Sequence, residues 1–192
     1  MATTQNRKLV VLLGSPRQKG NSAALAEQVV TGATAGGADV ESFYLHGMEI
    51  QPCDACEACR GHSDDGCIVE DGMQEIYPKL RDADAFVIAS PIYWFNMSAQ
   101  AKLFMDRCYA FGGPQGHGLT GKQVGIVVTF ADADLFVSGA VNALRSFQDS
   151  YRYIGTEVVG MVSGCAEEPG DIRGNQAVMD QARQLGEKLA AG

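Results

Sequence analysis

Four cysteines stand in the run Cys53-x2-Cys56-x2-Cys59-x7-Cys67. Their thiolates are soft ligands, suited to iron–sulfur clusters and to zinc. Three thiols at three-residue intervals match a cubane cluster, whereas structural zinc more often takes two separated cysteine pairs. Cys67 precedes Ile68, not the proline that follows the fourth cysteine of a bacterial ferredoxin run, which assigns all four to one centre. This spacing leaves three states open: a [4Fe-4S] cluster, zinc, and unliganded thiols. Cys108 on a helical apolar stripe and Cys165 after a strand read as incidental.

A second group, Gly14-Ser15-Pro16-Arg17-Gln18-Lys19-Gly20-Asn21-Ser22, joins a strand pattern to a helix pattern. An open α/β sheet binds phosphate at that junction, because the helix N-terminus offers free N–H groups and the positive end of its dipole. The segment lacks both the Gly-Lys-Ser/Thr ending of a P-loop and the G-x-G-x-x-G of a dinucleotide fold. The hydroxyls of Ser15 and Ser22, the Asn21 amide and the Arg17 cation suit one terminal phosphate. The plain alternative is a βα turn with Ser22 as N-cap.

A third group, Ala89-Ser90-Pro91-Ile92-Tyr93-Trp94-Phe95-Asn96-Met97-Ser98, ends the third strand pattern, with a core-plus-surface aromatic cluster as its plain alternative. Three consecutive aromatics cannot all face inward on a strand, so at least one lines a surface or a flat ligand. In a flavodoxin-like strand order the ligand crevice lies between strands one and three, where this group and the phosphate loop meet.

Together the two loops resemble the NADPH-dependent FMN reductases and iron-sulfur flavoproteins of the flavodoxin-like superfamily, over nearly the whole chain. The resemblance implies that Ser15, Arg17, Asn21 and Ser22 hold the phosphate of FMN. It implies that Pro91, Ile92, Tyr93, Trp94, Phe95 and Asn96 border the isoalloxazine ring, with Ser90 leading into them. The cysteine run is similar to the compact motif of the iron-sulfur flavoproteins, so Cys53, Cys56, Cys59 and Cys67 are the expected ligands of a [4Fe-4S] cluster. The implied activity passes electrons from reduced nicotinamide, NAD(P)H, or a ferredoxin through FMN to an acceptor. Flavin chemistry requires no catalytic side chain. A pure electron carrier and a cluster-free NAD(P)H:FMN or quinone reductase compete with this reading. The resemblance further implies a homodimer or homotetramer.

These residues need a scaffold, and the rest of the chain supplies one. Short apolar runs at Lys8 to Gly14, Val40 to Tyr44, Ala85 to Ser90, Gln123 to Phe130 and Glu157 to Val162 alternate with helical stripes. The stripes are Leu25, Val29 and Ala33; Met73, Ile76, Tyr77 and Leu80; Ala101, Phe104, Met105 and Cys108; Val137, Val141, Leu144 and Tyr151; and Val178, Ala182, Leu185 and Leu189. Five strands alternating with five helices predict one doubly wound parallel-sheet α/β domain over residues 1–192. Asp71 with Gln74 resembles a capping box, and Ser98 an N-cap. The Cys-rich excursion at 46–71 and the Gly-rich loop at 112–121 interrupt the alternation. His46, His62 and His117 fall in loops and read as solvated. Asp132 and Asp134 follow the fourth strand, as a solvated turn or a flavin contact.

A net charge of −8 and a pI near 4.8 argue against nucleic acid or anionic lipid as partner and leave small molecules. Met1 to Lys8 lacks the layout of a signal peptide, and no apolar run spans a bilayer. The expected setting is the cytoplasm, where six cysteines stay reduced or bind metal.

Overall fold

The structure is a computed structural model that describes residues 6–60 and 66–192. Five parallel strands form the central sheet: β1 (Lys8–Leu13), β2 (Asp39–Tyr44), β3 (Ala85–Tyr93), and, later in the chain, Gln123–Phe130 and Glu157–Cys165. Between β3 and those last two come three short strands, β4 (Asn96–Met97), β5 (Gly112–Gly113) and β6 (Gly116–His117), which makes the last two β7 and β8. The order β2-β1-β3-β7-β8 is the flavodoxin-like one, with its reversal between β1 and β3. The expected fold class is thus the observed one.

Helices α1 (Asn21–Ala35), α2 (Met73–Asp82), α3 (Ala99–Arg107), α4 (Ala140–Tyr153) and α5 (Gln176–Ala191) cover both faces. Period-two alternation of the central strands feeds two cores. Leu9, Val11 and Val87 face α1 and α5, against Leu25, Val29 and Leu185. Val10, Leu12, Phe86 and Ile88 face the other way, against Met73, Ile76, Phe104 and Phe147 of α2, α3 and α4. Because β1 and β3 are hidden on both sides, they read as continuous apolar runs.

Helices α1 and α5 approach closely through two glycines. A Cβ on Gly32 would stand 2.0 Å from the Arg183 carbonyl oxygen, and one on Gly186 2.0 Å from that of Val29. No side chain larger than hydrogen fits at either contact.

Three local expectations change. β3 continues past Ser90 to Tyr93 and folds back through β4, because Ile92 pairs with Met97 and Tyr93 with Asn96. α4 begins at Ala140, so Val137 lies in the preceding turn and is exposed. The Gly-rich loop contains the small β5–β6 hairpin. Among the described residues no helix is long and apolar enough to cross a membrane.

Candidate functional site

The carboxyl ends of β1 and β3 open onto the phosphate-loop candidate. Gly14 N–H donates to the Ala89 carbonyl at 2.8 Å, and a Cβ there would sit 3.0 Å from that oxygen, so the loop leaves the sheet pressed against β3. The buried Ser15 Oγ accepts from Arg17 N–H at 3.0 Å, and Tyr44 Oη at the end of β2 donates to the Pro16 carbonyl at 2.6 Å. Sequence reasoning missed Tyr44, since only the β1–β2 pairing brings it here.

Gly20 is the N-cap of α1, and among the described residues no side chain caps the first turn. That turn also holds no acidic residue. Its leading N–H groups therefore remain available to an external anion. Ser22, offered above as a possible cap, instead stands inside the first turn, buried. It joins Ser15 and Arg17 in the walls of two adjoining cavities. One, of about 240 Å³, is also lined by Gln18 and Tyr44. The other, of about 100 Å³, reaches Pro91, Ile92, Tyr93, Thr129 and Ala166. The two motifs read from sequence thus share one crevice, with Thr129 and the segment after β8 as walls that no motif marked.

Asn21 lines this crevice, but its amide is committed elsewhere. Its Nδ2 donates to the Glu168 carbonyl at 2.9 Å, and its Oδ1 accepts from Gly170 N–H at 2.8 Å and Ile172 N–H at 3.3 Å. The side chain is a strut between the phosphate loop and the segment after β8. Ser90 is likewise fully buried: its Oγ accepts from Ser98 N–H at 2.9 Å and donates to the Pro91 carbonyl at 2.8 Å, closing the β3–β4 turn. Ser98 caps α3 as expected, accepting from Ala101 N–H, and its hydroxyl donates to the Gly14 carbonyl at 2.6 Å. The two loops are stitched together by Ser98.

Trp94 and Phe95 are the two central residues of that hairpin turn, with φ of 48° and 66°. Positive φ at both positions is the type I′ pattern, which ordinarily takes Asn-Gly. Two aromatics there hold the backbone at a cost of about 1–2 kcal/mol each. Trp94 is 92% exposed and Phe95 53%. The turn is braced from behind: Gly139 packs so closely that a Cβ would lie 2.6 Å from the Phe95 Cα, and Asn142 Nδ2 donates to the Phe95 carbonyl at 3.2 Å. Strained, exposed aromatics persist where surrounding structure over-determines them, commonly at ligand clamps. Asn96 turns its side chain back onto Met97 N–H at 2.8 Å.

Isoalloxazine is flat and the FMN phosphate dianionic. The residues present fit both ends: an uncapped helix N-terminus with two buried hydroxyls and Arg17, and Tyr93 with the aromatic turn beside it.

The cysteines form a second centre. Cys53, Cys56, Cys59 and Cys67 all border one small cavity of about 20 Å³, together with Glu57, Tyr109 and Arg107. Ala55 and Glu57, on either side of Cys56, have φ of 57° and 58°. Such turned backbone gathers N–H groups into the concavities that receive anions and iron–sulfur centres. Among the described residues no three His, Cys, Asp or Glu side chains converge as ligands of one metal ion. Four thiols bordering one space are a donor set that an iron–sulfur centre or zinc takes. Burial, then the neighbouring Cys67, pushes the Cys59 thiol pKa up.

Asp71 and Arg107 anchor this excursion. They form an ion pair with side chains 4% and 1% exposed, and Arg107 Nη1 also donates to the Gln51 carbonyl at 2.8 Å. Burial pushes the Asp71 carboxyl up, but hydrogen bonds from Arg107 and from the N–H groups of Gln51 and Met73 outweigh it and hold its pKa below the ordinary value. The expected capping box is therefore not formed. Asp71 does accept from Met73 N–H, but Gln74 turns away to donate to the Cys67 and Val69 carbonyls, both at 2.7 Å. Tyr77 Oη, also missed, donates to the Arg107 carbonyl at 3.1 Å.

Of the histidines, His46 meets Gln100 and His117 meets the Cys108 carbonyl, while His62 lies outside the described residues. Burial lowers the His117 pKa. Asp134 accepts from Phe136 and Val137 N–H, the turn reading, and the Asp132 carbonyl accepts from Cys165. A larger groove of about 1070 Å³ between α3, α4 and the β5–β6 hairpin, including Lys102, Tyr109 and Tyr153, contains no residue of the phosphate or aromatic loops.

Residues 7–166 match the family model described as NADPH-dependent FMN reductase. An iron-sulfur flavoprotein of Archaeoglobus fulgidus is 31% identical over 95% of this chain and 79% of its own length. A Bacillus subtilis protein named as an NAD(P)H-dependent FMN-containing oxidoreductase is 29% identical over 93% of this chain and 96% of its own. In fold, the NAD(P)H:quinone oxidoreductase of Methanothermobacter marburgensis superposes with a TM-score of 0.73 at 20% identity, over 96% of each chain.

Proposed function

The chain belongs to the NADPH-dependent FMN reductase family, and from that premise we propose an FMN-dependent oxidoreductase that takes electrons from NAD(P)H or a ferredoxin and holds a [4Fe-4S] cluster. The observation that carries the flavin half is the uncapped N-terminus of α1, opening with Ser15 and Ser22 onto a crevice that Tyr93 shares. Ser15, Arg17, Ser22 and the leading N–H groups of α1 hold the phosphate. Pro91, Ile92 and Tyr93 wall the ring, and Trp94 and Phe95 stand at its outer edge. Asn21 and Ser90 position these groups and leave the contacts to them. Bound FMN supplies hydride and single-electron chemistry, so the chain's own task is to orient the ring, shield one face and set its potential.

Cys53, Cys56, Cys59 and Cys67 are the proposed cluster ligands, supported by their shared cavity and by the iron-sulfur flavoprotein relative. α3 starts beside the phosphate loop and ends at Arg107 in the cysteine wall, so one helix of nine residues joins the two candidate sites. A second reading, a cluster-free reductase, is favoured by the absence of three converging ligands among the described residues. One domain carrying both centres, and assembly as a homodimer or homotetramer, complete the proposal.

Protein purified and reconstituted without oxygen tests it. FMN, iron and sulfide per chain are measured with the visible spectrum and with NADH and NADPH oxidation. One FMN and four irons per chain are expected. Protein that takes up FMN but no iron leaves the cluster-free reductase, and protein that binds no FMN removes both readings.

A further inference from the structure

The wall of the cysteine cavity contains one buried donor with nothing to donate to. Arg107 is 1% exposed and lines that cavity. Its Nη1 serves Asp71 and the Gln51 carbonyl, and its Nη2 serves Asp71 at 3.2 Å. Its Nε has no hydrogen-bond partner among the described residues. Leaving a buried N–H unpaired is costly, the more so for a charged group, so such a donor implies an acceptor that completes it. Asp71 and Gln51 hold the guanidinium through Nη1 and Nη2, so both remaining donors of the fork are committed and, among the described residues, Nε alone is free.

We propose that Arg107 Nε–H donates a hydrogen bond to a sulfur of the centre bound by Cys53, Cys56, Cys59 and Cys67. Arg107 is then a positioning residue that sets the potential of this centre. The inference rests on the cluster reading above. Four thiolates around a four-iron core leave a net negative site, and each electron added makes it more negative. A buried guanidinium with its N–H aimed at sulfur favours the reduced form, because hydrogen bonds to the sulfurs and local charge set cluster potentials. The ion pair with Asp71 holds this donor in place, and Tyr77 fixes the backbone beneath it.

The test uses holoprotein reconstituted without oxygen, in wild-type and Arg107→Lys forms. Lysine keeps the charge opposite Asp71 but has no Nε–H. Iron and FMN per chain, thermal stability and the cluster midpoint potential are measured in both. The expected result is intact FMN with a lower cluster potential, by at least tenfold in the reduced-to-oxidised ratio, which is about 59 mV for one electron. Wild-type protein labelled with ¹⁵N-arginine gives a second readout that needs no variant to fold: the reduced cluster should show one ¹⁵N hyperfine coupling by pulsed EPR. A wild-type cluster without that coupling overturns the proposal, and so does an Arg107→Lys cluster with unchanged potential. Wild-type protein that takes up no iron overturns the cluster reading itself, and this inference with it.

Discussion

Replacing Trp94 by Asn should raise stability and lower flavin affinity at once. The indole is 92% exposed, so its removal takes almost no packing from the chain. The backbone at φ 48° is one that asparagine tolerates and that type I′ turns prefer at this position. A left-handed tryptophan costs about 1–2 kcal/mol, of which asparagine recovers roughly 1 kcal/mol. For a chain of this size that raises the apoprotein Tm by about 2–4 °C. The affinity moves the other way. If the ring covers half the indole, about 100 Å² of apolar surface at about 25 cal/mol/Å² contributes roughly 2.5 kcal/mol, or about seventyfold in Kd. Thermal scans of apoprotein and quenching titrations with FMN and riboflavin measure both effects. Riboflavin should weaken as much as FMN, since the phosphate is untouched. A lower Tm, or an FMN Kd within twofold of wild type, would refute the clamp.

Ser22→Ala makes the complementary cut: losing one charge-assisted hydrogen bond should weaken FMN about tenfold and leave riboflavin unchanged in the same titration. Asp71→Asn strands the buried Arg107 charge and should cost about 3–5 kcal/mol, read by chemical denaturation at pH 7. Since the folded Asp71 pKa lies below the ordinary 3.8, its contribution is whole above that pH and lost as pH falls through the folded value, so wild type and variant should converge in acid. Gly186→Ala drives a Cβ onto the Val29 carbonyl and should cost about 3 kcal/mol, or roughly 6–12 °C in Tm, with FMN affinity in the surviving folded protein unchanged.

The sheet was legible because β1, β3 and β7 are apolar on both faces, a pattern that one-sided strands do not produce. The junction proposed as the phosphate loop was legible because its geometry is local: a strand, a glycine-framed turn and a helix start lie in one run of sequence. What stayed hidden depends on partners far along the chain. Asn21 looks like a phosphate ligand until Glu168, Gly170 and Ile172 occupy its amide. Asp71 looks like a cap until Arg107, thirty-six residues on, claims its carboxylate. Trp94 and Phe95 gave an aromatic signal, yet nothing in their identity announces positive φ, since the hairpin register and Gly139 impose it. The cysteines declared their count and spacing, while the orphan donor beside them is a property of packing alone.

The glycine contact between α1 and α5 bears on how the chain is made. The helix whose N-terminus is proposed to hold the phosphate is fastened on its other side by Gly186, which a ribosome reaches only about 8–30 s after Gly32 at ordinary elongation rates of about 5–20 residues per second. Until then Leu25 and Val29 have β1 and β3 beneath them but no α5 beside them. The nascent protein therefore passes through a period in which its cofactor loop is already synthesised while an apolar seam stays open to chaperones or to other chains. Closure of that seam joins α1 to α5 in one late step, so stalled or slowed synthesis before α5 should expose the α1 face of the sheet to aggregation before any chemistry begins.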